Sequence, residues 1–472
     1  MTEGRDKKKL RAYITTMGCS KNLVDSEAAA AVIGRAGCEL TADPSQADVL
    51  LVGACSFLAS SWRDTVEEVE RLAGYKRRGG GTTKLVLMGC LPVHHGMEFE
   101  KELPDVDHFV PTGAHERLAG LVESWSGGAD APPSPRLVDG AGSDRFANFE
   151  ERTPLTPAHT AYVKVAEGCN RNCSFCAIPA IRGRQVVRPV DAIVREVEHM
   201  VGRGVREDSV LSQDIVSYKD GGAGFVDVVE EIVKTGIDWV RLFYLHPAGM
   251  TLDHVRRLFD HEAVVRYLEM PVQHASNSML KRMRRSHDRG NLERLIGGIR
   301  AEFPDVVIRS EVIAGFPGET EGDFEKLLKF VEEMEFDSLG VFPYSREPGT
   351  EAGEFAGQAA RPLIRHRVDE LTQVQDAVSF GVQSRRIGRR YTVLVDRKCD
   401  PGERGTSRAQ AGCEAGCYAG RYYGQALDID GEVFVESDDI DVGEFVRVRI
   451  TGNGTHDLNG ELLESPLFLE ES

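Results

Sequence analysis

The sequence has no uninterrupted apolar run approaching the ~20 residues that a membrane-spanning helix requires. Its polar, basic start, Met1 to Arg11, leads into no apolar segment of the kind a secretory signal carries. Both absences predict a cytoplasmic chain with no membrane partner. An excess of positive charge is also missing: 57 Lys and Arg stand against 75 Asp and Glu, a formal net charge of −18. Binding a polyanion by bulk electrostatics draws on a basic surface. Nucleic acid is therefore not expected as the primary substrate, and a basic macromolecule is the better-matched partner. What the chain does have is length: 472 residues, 41% of them apolar, more than one core usually organises, so two or three domains are expected. It also has 10 cysteines, which a reducing cytosol keeps as thiols available to a metal.

Three of them fall in the short stretch Cys169-Asn-Arg-Asn-Cys173-Ser-Phe-Cys176. A four-iron cluster takes one thiolate per iron, so a loop offering three leaves one iron open to a small chelating ligand. The alternative for clustered cysteines is structural zinc, with His159 as a fourth ligand. Such zinc sites more often show two Cys-x2-Cys knuckles, and here there is one. The Cys-x3-Cys-x2-Cys spacing, with the aromatic Phe175 before the third thiol, resembles the radical S-adenosylmethionine (SAM) superfamily. That resemblance implies that Cys169, Cys173 and Cys176 hold a [4Fe-4S] cluster whose open iron chelates the amino and carboxylate groups of SAM. An injected electron then cleaves the sulfonium to a 5′-deoxyadenosyl radical.

Residues 10–125 read as an open parallel α/β domain. Strands over Ala12–Met17, Asp48–Val52 and Lys84–Met88 alternate with helical patterns over Asn22–Ala36 and Ser60–Leu72. Each strand runs into a cysteine: Cys19, Cys55 and Cys90. Parallel strands share one carboxyl edge, where open α/β sheets bind ligands, so the three thiols are expected to converge there as a second cluster site. The alternative is three buried cysteines that only pack. Cys38 lacks this context and is assigned to the core.

A Gly-, Pro- and Ser-rich linker covers 126–157. Over 158–388 the pattern alternates again, with strands at Ala161–Val165, Ser209–Leu211, Trp239–Tyr244, Tyr267–Met270, Val306–Ile313 and Ser338–Phe342. Six βα steps predict a (βα)6 partial barrel whose cysteine loop, after the first strand, lies at the carboxyl-terminal mouth. A polar helix over Arg361–Gly388 leads to a small β-barrel in 389–472, with strands at Tyr391–Val395, Glu432–Val435, Phe445–Ile450 and Glu461–Leu463; appended barrels commonly grip substrate.

Ser212, Gln213 and Asp214 follow the second strand and are candidates to hold the SAM ammonium, or else form a strand-end turn. Gln273 is placed to reach the ribose or methionyl group, with His274 a structural hydrogen-bonder. Arg309 and Glu311 sit on the fifth strand, where Arg309 needs an anionic partner that a carboxylate of SAM or substrate would supply. Gly315 and Gly318 permit close approach to a ligand, and Thr320 with Asp323 has the pattern of a capping box. The basic run Lys281–Arg285 reads as a solvated helix end rather than an RNA contact. Cys399, Cys413 and Cys417 are an incidental loop or an adventitious metal site.

Two cysteine triads and a terminal β-barrel together resemble the methylthiotransferases, radical SAM enzymes with an auxiliary cluster in the amino-terminal domain and a TRAM domain at the end. The resemblance implies two [4Fe-4S] clusters, the second on Cys19, Cys55 and Cys90. It implies one SAM that methylates a sulfur associated with that cluster and another that yields the radical, with electrons from a flavodoxin- or ferredoxin-type donor. One branch of the family modifies the β-carbon of an aspartate in ribosomal protein S12; the other modifies an N6-substituted adenosine in tRNA. Gly18-Cys-Ser-Lys-Asn-Leu-Val-Asp-Ser-Glu27 and Ser212-Gln-Asp214 look like the first branch. The tail agrees: from Gly388 onward nine basic residues face seventeen acidic ones, a net of −8, which suits a basic protein better than RNA. A non-enzymatic metal-binding adaptor is the remaining class. Two departures from the family pattern are the Cys399–Gly416 stretch, which reads as an insertion, and Ser20, where many members have Pro.

Overall fold

The computed structural model describes residues 9–55, 59–78, 82–94, 101–126, 138, 145–147, 149–399, 416–437 and 439–464. At the amino end, β1 (Leu10–Thr16), β2 (Cys38–Leu40), β3 (Val49–Ala54), β4 (Lys84–Gly89) and β5 (His108–Pro111) form a parallel sheet in the order β2-β1-β3-β4-β5. Helices α1 (Ser20–Arg35) and α2 (Ala59–Arg78) cross over between strands. β3 is buried at every position and β4 at all but its first, the continuous apolar pattern of strands covered on both faces. All three expected strands form. The additional β2 and β5 are edge strands of 3 and 4 residues, too short for a period to register. Cys38 packs in the core as expected, and burial pushes its thiol up to about 11.

Six parallel strands follow: β6 (Thr160–Lys164), β7 (Glu207–Leu211), β8 (Trp239–Leu242), β9 (Val264–Glu269), β10 (Val307–Ala314) and β11 (Ser338–Pro343), side by side in chain order in an open sheet. The cysteine loop leaves β6 and re-enters regular structure in the short helix α3 (Ile178–Arg182). Helix α4 (Arg361–Ser384) crosses to the closed barrel of β12 (Arg390–Lys398), β13 (Cys417–Tyr422), β14 (Val433–Glu436), β15 (Phe445–Asn453) and β16 (Leu458–Glu464). β13 was not expected. It faces β12 antiparallel and brings the Sγ atoms of Cys399 and Cys417 to 2.9 Å. Cys413 and 400–415 of the expected insertion lie outside the described residues.

The barrel is joined to the amino-terminal ends of the central strands by buried charges. Arg421 holds Asp396 through two hydrogen bonds of 2.8 and 2.9 Å and pairs with Glu207 at 2.5 Å; Glu207 also accepts from Arg241 at 2.8 Å. This seam corrects two expectations. His159, the proposed fourth zinc ligand, hydrogen-bonds Asp396 at 3.0 Å. Arg309 finds its anion inside the chain, in Asp430 of the barrel at 3.2 Å, and donates to Ser338 at 2.9 Å. Tyr267 donates to the same Asp430 at 2.8 Å. Around these pairs the barrel interior and the base of the central sheet share one apolar cluster containing Tyr162, Phe243, Tyr267, Val393, Tyr422 and Val446.

Candidate active site

The strand-end cysteines meet because the backbone at their strand ends allows it. Gly18, at φ +89°, turns β1 toward α1; a Cβ there would lie 2.4 Å from the Cβ of Cys55, so only glycine lets the Cys19 and Cys55 loops touch. Gly168, at φ +82°, does the same before Cys169, where a Cβ would fall 2.4 Å from the carbonyl oxygen of Arg184. Cys19, Cys55, Cys90, Cys169, Cys173 and Cys176 all line one cavity of about 510 Å³. It lies between the carboxyl edges of the two parallel sheets, the position open α/β folds use for ligands.

The walls are cationic near the sulfurs. Arg182, at the end of α3, reaches across the domain boundary: Nε lies 3.3 Å from Cys90 Sγ, Nη2 donates to Asn22 Oδ1 at 2.6 Å, and Nη1 pairs with Glu167 at 2.6 Å and Asp25 at 3.1 Å. Lys164 joins the same group by pairing with Glu167 at 2.7 Å and with Asp25. Burial raises the Cys19 thiol, but Lys21 and Arg182 outweigh it and hold the thiol below its ordinary value. Burial pushes Cys90 and Cys176 up to about 12. On the other wall Arg285 Nη1 lies 3.6 Å from Cys173 Sγ, and the Arg171 amide donates to Cys169 Sγ at 3.4 Å.

This donor set fits iron–sulfur chemistry. Six thiols in two sequence groups face a common space, with guanidiniums and amides to balance an anionic thiolate cluster. Among the described residues no three thiols, imidazoles or carboxylates converge on a point suited to a single ion. Space for an organic ligand is present too: Gln213 Oε1, Asp214 Oδ1 and Arg285 Nε are buried at the cavity without a hydrogen-bond partner, a condition that a bound polar group relieves.

Of the expected ligand contacts, Phe175, Gln213, Asp214, Gln273 and Glu311 line the cavity. Gln213 also donates to Glu167 at 3.2 Å, and Asp214 accepts from Arg171 at 2.6 Å. Burial raises the Glu311 carboxyl. Ser212 does not line it: fully buried, its hydroxyl accepts from the Asp214 amide at 3.2 Å and shapes the turn. Arg309 is absent for the reason given above. His274 accepts from the amides of Ala275 and Ser276 at 2.9 Å, the structural role expected. Arg285, read as part of a solvated helix end, instead turns inward and donates to Pro271 O at 2.6 Å. Lys21, Arg182 and Tyr244 were not singled out in the sequence. The available signal was position: Lys21 follows Cys19 by two residues, and Arg182 follows Cys176 by six.

Three family models match the chain: the uncharacterized protein family UPF0004 over 11–111, the radical SAM superfamily over 163–331 and the TRAM domain over 387–463. Among solved structures, the fold resembles a radical SAM methyltransferase, TsrM from Kitasatospora setae. With tryptophan and a SAM analogue bound it gives a TM-score of 0.52 at 13% identity, covering 84% of this chain and 80% of that one. Its cobalamin- and [4Fe-4S]-bound form gives 0.51 at 14%, covering 73% and 77%. Curated relatives named ribosomal protein uS12 methylthiotransferase RimO include those of Anaeromyxobacter sp. (strain K), 38% identical over 96% of this chain and 93% of the relative, and of Geobacter sulfurreducens, 36% identical over 96% and 99%. The relative from Sorangium cellulosum is 37% identical over 96% and 91%. Identity at this level, sustained across both cysteine triads and the terminal barrel, makes the chain a member of the RimO family of radical SAM methylthiotransferases, which work with SAM and an iron–sulfur cluster.

Proposed function

We propose that this chain adds a methylthio group to the β-carbon of an aspartate in ribosomal protein S12. The observation that carries the reading is the single cavity walled by two sets of three thiols, one from each parallel sheet. Cys169, Cys173 and Cys176 would hold the SAM-binding [4Fe-4S] cluster, and Cys19, Cys55 and Cys90 a second one. When bound, the clusters and SAM supply radical hydrogen abstraction and a methylated sulfur. The chain's own residues position and exclude. Phe175 packs on the apolar cluster that includes Ile313 and Tyr344 and closes that side. Gln213, Asp214 and Gln273 offer polar contacts to SAM, and Arg182 steadies Cys90 from the central domain. Domains 10–125, 158–388 and 389–472 would respectively carry the second cluster, the radical chemistry and a basic substrate's docking surface. The reductant is of the flavodoxin or ferredoxin class, and the work is cytoplasmic.

The test is anaerobic incubation of reconstituted enzyme, SAM and reductant with a peptide of the S12 loop and, in parallel, an adenosine-modified tRNA stem-loop. A gain of about 46 mass units on the peptide alone, H replaced by SCH3, is the expected result. The same gain on the RNA alone would overturn the substrate assignment. Cys173→Ala is expected to lose SAM cleavage and to keep the iron bound by the other triad; an adaptor protein would cleave no SAM in either form.

A further inference from the structure

Lys21 is an anomaly in the wall of the cavity. It stands in the first turn of α1, where a cation opposes the helix dipole. It is 6% exposed and lines the cavity. The neighbouring buried cations, Lys164 and Arg182, are each matched by Asp25 and Glu167. Lys21 has no such match: among the described residues no carboxylate lies within 4.0 Å of its Nζ, which rests over the ring of Tyr244, 3.2 Å from the centroid. The charged groups that act on it at longer range are Cys19, Glu269, Arg182 and Glu311. The Tyr244 ring and the Cys19 thiol offset part of the desolvation of the ammonium, but neither gives it the hydrogen-bonded carboxylate that Lys164 and Arg182 each have.

Building on the proposed function, we infer that Lys21 binds the side-chain carboxylate of the acceptor aspartate. The chemistry favours this ligand for a geometric reason. In aspartate the carboxylate is one bond from the β-carbon, so holding it at Lys21, two residues from Cys19, sets the reacting carbon beside the Cys19, Cys55 and Cys90 wall. The opposite face of that carbon is then left to the Cys169–Cys176 loop across the cavity. The opposite loop has cations of its own, Arg171 and Arg285, and these would serve the carboxylate of a bound SAM. A neutral acceptor such as an adenine ring offers hydrogen-bond acceptors but no negative charge to a buried ammonium.

The experiment is a four-way comparison on the reconstituted holoenzyme. A fluorescent S12-loop peptide and its Asp→Asn twin are titrated by anisotropy against the wild type and Lys21→Met, with KM for peptide as a second readout. Iron content and SAM affinity report folding. The expected result is that wild type prefers the Asp peptide by about tenfold or more, that Lys21→Met loses that preference while binding the Asn peptide unchanged, and that Lys21→Arg recovers part of it. Equal weakening of both peptides by Lys21→Met would mean that Lys21 only balances Cys19, Glu269 and Glu311, and would overturn the inference. So would a wild type that does not discriminate between the peptides, a measurement that needs no variant. A wild type that modifies RNA and not peptide overturns this inference and the proposed function together, whereas peptide modification indifferent to Lys21 overturns this inference alone.

Discussion

Arg182 illustrates how much one side chain carries here. Arg182 is 2% exposed, and its guanidinium contacts Cys90, Asn22, Asp25 and Glu167, residues drawn from both domains. Removing one member of such a buried network leaves the others charged and unmatched, at about 3–5 kcal/mol. Arg182→Gln is expected to lower the melting temperature and to reduce iron bound per chain. Arg195→Gln, whose pairs with Asp191 and Glu150 are exposed and screened by solvent, should leave the melting temperature nearly unchanged. Arg182→Lys keeps the charge but cannot span the four acceptors, so it should behave nearer to Gln than to Arg. Asp208 gives a second prediction. It is fully buried, neither carboxylate oxygen has a hydrogen-bond partner, and burial pushes its carboxyl up to about 7. Its folded-state value exceeds its unfolded one, so the native state holds the proton between about pH 4 and pH 7 and the unfolded chain does not. Stability from this group is therefore full below pH 4 and declines as pH rises through 7. Asp208→Asn should flatten that part of the melting-temperature profile measured from pH 5 to 8.

At the scale of elements, the seam between the terminal barrel and the central sheet changes how the barrel is understood. The sequence suggested a grip appended by a helix. The structure shows a domain fastened by Arg421, Asp396, Glu207 and Arg241, with Asp430 reaching Arg309. Arg421→Ala is expected to release it, so that limited proteolysis cuts at the end of α4 well before the core and melting falls by several kcal/mol's worth of stability. The same seam qualifies the charge argument. Asp396 and Asp430 are spent inside the molecule, and Glu432 and Glu461 pair with Arg397 and Arg449 within the barrel. These four acids do not face a partner with unmatched charge. Elements long enough to show a period were legible: the three strands that end in cysteine, all six central strands and the connecting helix. β2, β5 and β13 were not, since short strands at edges or beside an irregular stretch carry little pattern. The thiols were legible because spacing is a local property. Lys21, Arg182, Arg285 and the true partners of His159 and Arg309 depend on contacts across domains, which no local window contains. Ser212 takes the second of its two readings, the strand-end turn: at a strand end, a hydroxyl that holds its own turn and one that faces a ligand look the same in sequence.

Across the whole molecule, the cavity is walled by two domains and the base of the central sheet is sealed by the third. A chain ending at residue 388 would uncover Arg241, Tyr267 and Arg309, all buried or nearly so against the barrel. It is expected to accumulate as insoluble protein, so soluble yield after expression is the measurement, with the intact chain as reference. If the truncated protein were soluble and cleaved SAM at the intact rate, the seam would be decorative. The amino-terminal domain is tied in equally firmly: Glu27 of α1 accepts from Arg152 at 2.7 Å and from the Leu155 amide at 2.8 Å. That closure narrows the route by which metal enters. Cys55, Cys90 and Cys169 are all buried where the sheets meet, and the Arg182 network locks across the same gap. Each triad nevertheless keeps a partly exposed thiol, Cys19 in one and Cys173 and Cys176 in the other, so the cavity mouth is the way in for iron and sulfide, and loading of the closed molecule is expected to be slow rather than barred.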